Sequence, residues 1–128
     1  MHQGSCFCGA VKYEVRGDIG PITLCHCAAC RKLNGTAFWA AASVETKEFH
    51  MVSGGDALTQ FESSPGVQRV FCGVCGSRLF GTSGAAPATI RLCIGTLDTP
   101  ILVKPAAHIF VAEKAEWFEI HDEIPQFP

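Results

Sequence analysis

The stretch Phe71-Cys72-Gly73-Val74-Cys75-Gly76 carries two cysteines three positions apart, each followed by a glycine. This arrangement is typical of zinc knuckles, because the glycines let the backbone curl until both sulfurs reach one ion at about 2.3 Å. Near the start of the chain, Cys6-Phe7-Cys8-Gly9 offers a second pair, since side chains at i and i+2 of an extended segment point the same way. A closed structural zinc takes four ligands. The two pairs therefore predict one site, made by Cys6, Cys8, Cys72 and Cys75, that joins the N-terminus to the middle of the chain.

A third cluster, Cys25-His26-Cys27-Ala28-Ala29-Cys30, places three more cysteines within six residues. Three protein ligands leave one position of a tetrahedral zinc open, as in catalytic zinc sites. The sequence leaves the fourth ligand undecided between solvent, Cys93 and the histidines, and Cys93 is equally consistent with packing in a strand. We expect the ring of His26 to turn away from the metal, because it lies between two ligands. Iron also binds thiolate sites, so zinc is inferred from the three clusters together.

Composition limits the class of protein. Hydrophobic residues make up 48% of the 128 residues and charged residues 17%, which predicts one globular domain over residues 1–128. Residues 1–6 show no charged start followed by an apolar run, so we expect no signal peptide and a reducing cytoplasmic location, where clustered cysteines bind metal more often than they form disulfides. No apolar run approaches the roughly 20 residues of a membrane helix. The net charge of −2, with scattered basic residues, predicts no nucleic-acid partner.

Short alternating segments bounded by turn residues predict strands. Within residues 11–16 and 88–94 the apolar side chains fall on every second position. Further candidate strands are residues 67–71, 78–80, 108–111 and 117–120. One helical turn is expected near residues 28–33, before the Asn34-Gly35 stop. The pattern predicts an all-β fold of small stacked antiparallel sheets, a sandwich or tent, with little helix.

The ordered cysteine motifs resemble those of the glutathione-dependent formaldehyde-activating family, whose domain also occurs in centromere protein V. The matching stretches are residues 4–11, 25–32 and 71–76, then Gly95-Thr96-Leu97-Asp98, then residues 108–110 followed by Trp117. The resemblance implies a zinc-binding β-tent with two zinc ions per chain. It implies a structural zinc on Cys6, Cys8, Cys72 and Cys75 and a catalytic zinc on Cys25, Cys27 and Cys30. It also implies the family's activity, which is condensation of formaldehyde with glutathione to S-hydroxymethylglutathione, a carbon–sulfur lyase reaction.

Charge arithmetic indicates what the second site can do. Three thiolates and one Zn²⁺ sum to −1, so this zinc is a weaker Lewis acid than a tri-histidine zinc and suits a sulfur ligand. A small thiol held there as its thiolate is a nucleophile for a small aldehyde at neutral pH. The added negative charge favours a nearby cation. Arg31 and Lys32 directly follow Cys30, and they are the predicted substrate-binding residues.

Two other functions are consistent with the sequence. The chain has the features of a non-catalytic, zinc-stabilised interaction module, in which both ions are structural. It also has those of a thiol redox or zinc-buffering protein, in which the second cluster exchanges metal or forms disulfides. The fourth position of the second site discriminates among them. A protein ligand there favours the module, a disulfide between Cys27 and Cys30 favours redox chemistry, and an open position inside a pocket favours an enzyme.

Overall fold

The computed structural model describes residues 1–128 and contains ten strands in two sheets, one α-helix and four single-turn 3-10 helices. The strands are β1 (His2–Ser5), β2 (Lys12–Val15), β3 (Ile22–Cys25), β4 (Trp39–Glu45), β5 (Phe49–Ser53), β6 (Leu58–Ser64), β7 (Val67–Cys72), β8 (Arg78–Ser83), β9 (Thr89–Cys93) and β10 (Pro105–Ile109). The helix is α1 (Ala28–Asn34), and the 3-10 helices are Thr46–Glu48, Gly55–Ala57, Ile94–Thr96 and Val111–Glu113. The all-β prediction is confirmed.

The two sheets differ in size. The three-stranded sheet has the order β1-β2-β5, and the seven-stranded sheet has the order β10-β3-β4-β9-β8-β7-β6. All neighbouring strands are antiparallel except β10, which runs parallel to β3. The parallel pairing brings the C-terminal part of the chain beside the end of β3, where the second cysteine cluster begins.

The core lies between one face of each sheet, and alternation in the sequence decides which side chains enter it. Val11, Tyr13 and Val15 are buried from the three-stranded side, and Ile90 and Leu92 from the seven-stranded side. These are the apolar positions that the period of two predicted for residues 11–16 and 88–94. Burial of each large side chain contributes about 1.5–3 kcal/mol, so this interface supplies much of the stability.

The face of the seven-stranded sheet that lies opposite the core carries two arginines. The register pairs Arg69 of β7 with Gly81 of β8, and Gly81 with Arg91 of β9, so these three residues form one row across the sheet. Because side chains alternate along a strand, the next row points to the opposite face. That row consists of Val70, Phe80 and Leu92.

Helix α1 follows the predicted pattern. The Cys27 sulfur accepts a hydrogen bond from the Cys30 N–H and caps the first turn. Gly35 ends the helix with a φ of 64°, a left-handed conformation that glycine adopts without steric cost, and its N–H donates to the Arg31 carbonyl. The structure contains no helix with the length and apolar character that a membrane crossing requires.

The strand predicted at residues 117–120 is wrong, because this segment pairs with no strand. The Lys114 ammonium donates hydrogen bonds to the carbonyls of Ala115 and Phe118, which draws the segment into a turn. The Phe118 ring then packs against Phe38 with ring centroids 5.7 Å apart. The apolar residues of this segment therefore serve local packing and not a sheet.

Gly54 provides a test of how β5 is fitted against the N-terminal loop. Its φ is 81°, and a Cβ at this position would lie 1.9 Å from the carbonyl oxygen of Ala10. We expect Gly54→Ala to lower the free energy of unfolding by more than the roughly 1–2 kcal/mol that a left-handed conformation costs alone, because the backbone of Ala10 must also move. Urea denaturation measures the change.

Gly55→Ala is the matched control for this substitution. A Cβ on Gly55 meets no atom within 4 Å, so its effect should stay within about 0.5 kcal/mol. Equal stabilities of the two variants would contradict the close approach at Gly54.

Candidate functional site

Four cysteine sulfurs converge from two distant parts of the chain. The Sγ atoms of Cys6, Cys8, Cys72 and Cys75 lie within 4.8 Å of one another. The Sγ–Sγ distances are 3.6 Å for Cys6–Cys8 and 3.9 Å for Cys8–Cys72. These distances exceed the roughly 2.05 Å of a disulfide, and they lie close to the roughly 3.8 Å that separates sulfurs around a tetrahedral ion with 2.3 Å bonds. This first cluster can hold a metal ion.

Hydrogen-bond donors contact three of the four sulfurs of the first cluster, and such contacts favour the thiolate, which is the form that binds metal. The Val11 N–H donates to the Cys6 sulfur at 3.2 Å, and the Val74 N–H donates to Cys72 at 3.4 Å. A hydrogen bond with the Ser77 hydroxyl lowers the pKa of Cys75 to about 5. At the fourth sulfur, despite a backbone hydrogen bond from Ala10, desolvation and the neighbouring thiols raise the pKa of Cys8 to about 11, so a bound cation would favour its thiolate form.

The second cluster comes from one short segment. Cys25 ends β3, Cys27 caps α1 and Cys30 lies in the first turn of the helix, and the three sulfurs lie within 4.8 Å of one another. A hydrogen bond from the Cys30 thiol lowers the pKa of Cys25 to about 6, and the same contact raises the pKa of Cys30. No fourth protein group joins this set. The second cluster can hold a metal ion through three sulfurs.

Cys93 is a packing residue and belongs to neither cluster. Its sulfur accepts a hydrogen bond from the indole N–H of Trp39 at 3.0 Å. Burial raises the pKa of the Cys93 thiol to about 11, so this thiol is neutral at physiological pH. The sequence left Cys93 open as a metal ligand or as a packing residue, and the structure supports packing.

His26 faces away from the neighbouring sulfurs, as expected. Its ring is fully buried, and its Nε2 lies 2.8 Å from Nδ1 of His108. Nε2 of His108 in turn lies 3.1 Å from a carboxylate oxygen of Asp122, and the hydrogen bond from His108 lowers the pKa of that carboxyl. The rings of Phe38 and Phe118 enclose His26 at centroid distances of 5.4 and 6.1 Å. This chain of contacts anchors the loop that carries the second cluster.

The second cluster opens into a cavity of about 500 Å³ on the outer face of the seven-stranded sheet. Besides the three cysteines, its wall includes Trp39, Arg69 and Arg91. Nη1 of Arg69 lies 3.9 Å from Sγ of Cys30. No aspartate or glutamate lines the cavity, so it presents sulfur and positive charge together.

Neither arginine was predicted from the sequence as a residue of the site. Each alternates with buried aliphatic residues, Arg69 beside Val70 and Arg91 between Ile90 and Leu92. That alternation signals the face opposite the core, but the order of strands that makes the arginines neighbours of the second cluster is absent from the local pattern.

Arg31 and Lys32 lie outside the cavity. Arg31 borders a separate groove formed with residues 112–117, and Lys32 is exposed on α1. The structure brings all seven predicted cysteine ligands into two clusters but does not bring these two cations to the cavity wall. Their part in substrate binding stays a prediction.

Comparison with known proteins identifies the family of the chain. The family model described as glutathione-dependent formaldehyde-activating enzyme matches residues 1–113. The chain belongs to this family. A Halomonas elongata protein named for the same family is 28% identical over 126 residues, covering 92% of this chain and 80% of the relative. An uncharacterized lyase of Schizosaccharomyces pombe is 26% identical over 133 residues, covering 96% of this chain and 93% of the relative.

A solved structure supports the fold. The crystal structure of a Rhodobacter sphaeroides protein superposes with a TM-score of 0.64 at 22% sequence identity. The match covers 78% of this chain and 91% of that protein. The two-sheet architecture is therefore shared with an experimentally determined structure.

The two clusters should respond differently to loss of a ligand. We expect Cys72→Ser to unfold most of the protein, because structural zinc contributes about 10–16 kcal/mol in small zinc domains, as much as a total stability of about 5–15 kcal/mol. Cys27→Ser should lose one ion per chain and keep the fold, because its partners lie within one loop. Metal content per chain and thermal unfolding measure both effects.

Cys93→Ser is the control, because it changes a buried cysteine outside both clusters and should keep the metal content of the wild type. If Cys27→Ser and Cys72→Ser destabilise the protein equally, both clusters are structural.

Proposed function

We propose that this protein is a zinc-dependent enzyme of the carbon–sulfur lyase type, which activates a small thiol for reversible addition to a small aldehyde. The observation that carries the proposal is a three-cysteine cluster without a fourth protein ligand that opens into a cavity with two cationic side chains. Membership of the family supports glutathione, or a similar thiol, and formaldehyde as the substrates to test first.

Two zinc ions per chain fit the donor sets. The first cluster, with four sulfurs at tetrahedral spacing, would hold a structural ion. The second cluster, Cys25, Cys27 and Cys30, would hold the catalytic ion, which would favour a soft sulfur ligand in its thiolate form.

The proposed reaction needs no oxidant or reductant. The thiol sulfur forms a bond to the carbonyl carbon, the π electron pair of the C=O bond moves to oxygen, and the proton released by the thiol ends on that oxygen as a hydroxyl. The guanidinium of Arg69, 3.9 Å from the Cys30 sulfur, would stabilise the negative charge of the substrate thiolate before it attacks the aldehyde. Trp39, Ile109 and Phe110 form apolar parts of the cavity wall, and confinement between them would hold the two reactants together.

The alternative functions place other demands on the second cluster. A purely structural site needs a fourth protein ligand. Two candidates have other partners, because Cys93 accepts a hydrogen bond from Trp39 and His26 is hydrogen-bonded to His108. Redox chemistry would use Cys27 and Cys30 as a disulfide pair and would leave the cavity and its two arginines without a role. These contacts favour the enzyme.

Catalysis can be measured directly. The zinc-loaded protein is expected to accelerate the exchange of formaldehyde between its hydrate and the glutathione adduct above the uncatalysed rate. Two-dimensional exchange NMR measures this rate. Cys27→Ser should return the rate to the background, because it removes a ligand of the open site, whereas Cys93→Ser should keep it.

Cobalt substitution provides a second readout. Glutathione should strengthen the thiolate-to-cobalt charge-transfer band, since a fourth sulfur joins the coloured ion. A spectrum that no thiol changes up to millimolar concentration, with two metals bound per chain, would contradict thiol activation.

A further inference from the structure

Two arginines reach the cavity from strands that are not neighbours in sequence. Arg69 and Arg91, called here the arginine pair, lie on either side of Gly81, two strand spacings or about 10 Å apart at Cα. The indole of Trp39 covers the glycine, with Cη2 3.5 Å from the position of a Cβ on Gly81. The guanidinium carbons lie 5.0 Å (Arg69) and 5.9 Å (Arg91) from the indole centre. The absent side chain at Gly81 thus lets one ring support both cations.

The arginine pair has more hydrogen-bond donors than the protein satisfies. Each guanidinium carries five N–H groups. Arg69 donates from Nε to the Ser63 hydroxyl at 3.0 Å and from Nη1 to the Cys30 sulfur at 3.9 Å, and Arg91 donates from Nη2 to the Thr23 hydroxyl. Nε of Arg91 is buried and has no partner. Neither arginine forms a salt bridge, so an anionic group on a ligand is the partner that these donors fit.

Charge balance is the simpler explanation of the arginine pair, because three thiolates, Zn²⁺ and a bound thiolate sum to −2. One general property of arginine and one observation go beyond it. A guanidinium presents parallel N–H groups that match the two oxygens of a carboxylate, which the balancing of charge does not require. Three residues with hydroxyl groups, Ser43, Ser83 and Thr89, line the same cavity.

We propose that the arginine pair is a carboxylate subsite, so that the thiol activated by this protein is one that carries a carboxylate group. This inference rests on the proposed function, because it specifies the thiol that enters the cavity. Arg69, the closer to the Cys30 sulfur, and Arg91, anchored at Thr23, place the carboxylate beside the second cluster.

Matched ligands separate the carboxylate from the thiol. 3-Mercaptopropionate and 3-mercapto-1-propanol have the same chain length and differ in charge, and glutathione and its diethyl ester form a second, larger pair. Isothermal titration calorimetry on the zinc-loaded protein gives the ratio of affinities within each pair. In a Trp117→Phe background, the fluorescence of Trp39 reports occupancy between the arginines without any turnover, because Trp39 is then the one tryptophan in the chain.

Each acid is expected to bind about 10- to 100-fold more tightly than its neutral partner, the range for charge-assisted hydrogen bonds. Arg69→Gln and Arg91→Gln should each bring this ratio toward one, and the lysine variants at both positions should recover only part of it. Arg16→Gln is the control, since it removes the same charge from an exposed side chain directly after β2 and outside the cavity. The ligand comparison on the wild type needs no variant, so misfolding of either variant leaves the test intact.

Two results would overturn the subsite alone: equal affinities of acid and neutral thiol for the wild type, or variants that weaken both thiols by the same factor. The second result would assign the arginine pair to charge balance. Failure of every thiol to bind the zinc-loaded wild type would overturn the proposed function together with the subsite.

Discussion

The convergence of four cysteine sulfurs from the loop after β1 and the turn after β7 constrains the rest of the structure. Cys8 and Cys72 are separated by 64 positions, and bringing such distant segments together costs chain entropy. Four thiolates this close repel one another unless a cation lies between them, so the arrangement favours a bound metal. Cys6 and Cys72 also belong to the apolar core. The same contact that gathers the sulfurs therefore holds the three-stranded sheet over one face of the seven-stranded sheet and leaves the other face for the cavity.

The second cluster is held in a different way. Its three sulfurs lie on one short segment, and the fixed positions come from neighbours: the Cys27 sulfur caps α1, and His26 is anchored through His108 to Asp122. The C-terminal segment thus packs against one side of the loop that carries the second cluster, and the cavity lies on the other side. This division suits a site in which one coordination position is kept for a ligand, because the loop keeps its shape without a fourth protein ligand.

Local spacing was enough to predict the two cysteine clusters, the turn of helix at α1 and the buried positions of β2 and β9. Strand β4 was missed because three consecutive alanines give little strand signal, and β6 because its side chains are largely exposed at the sheet edge. The segment at residues 117–120 has a strand-like composition, but Lys114 holds it in a turn. Arg69 and Arg91 could not be predicted as site residues from the local pattern, because their proximity to the cysteines depends on strand order, which no single segment encodes.

The row of Arg69, Gly81 and Arg91 has a consequence for how this protein can diverge from its relatives. The next residue along each strand belongs to the core row, so inserting or deleting one residue in β9 would carry Arg91 into the apolar interior and an aliphatic side chain into the cavity. A single-residue change of length in these strands therefore disturbs the core and the cavity together, unless a β-bulge absorbs it. Exchange of side chains at the cavity row alters what the cavity presents to a ligand and leaves the core row unchanged.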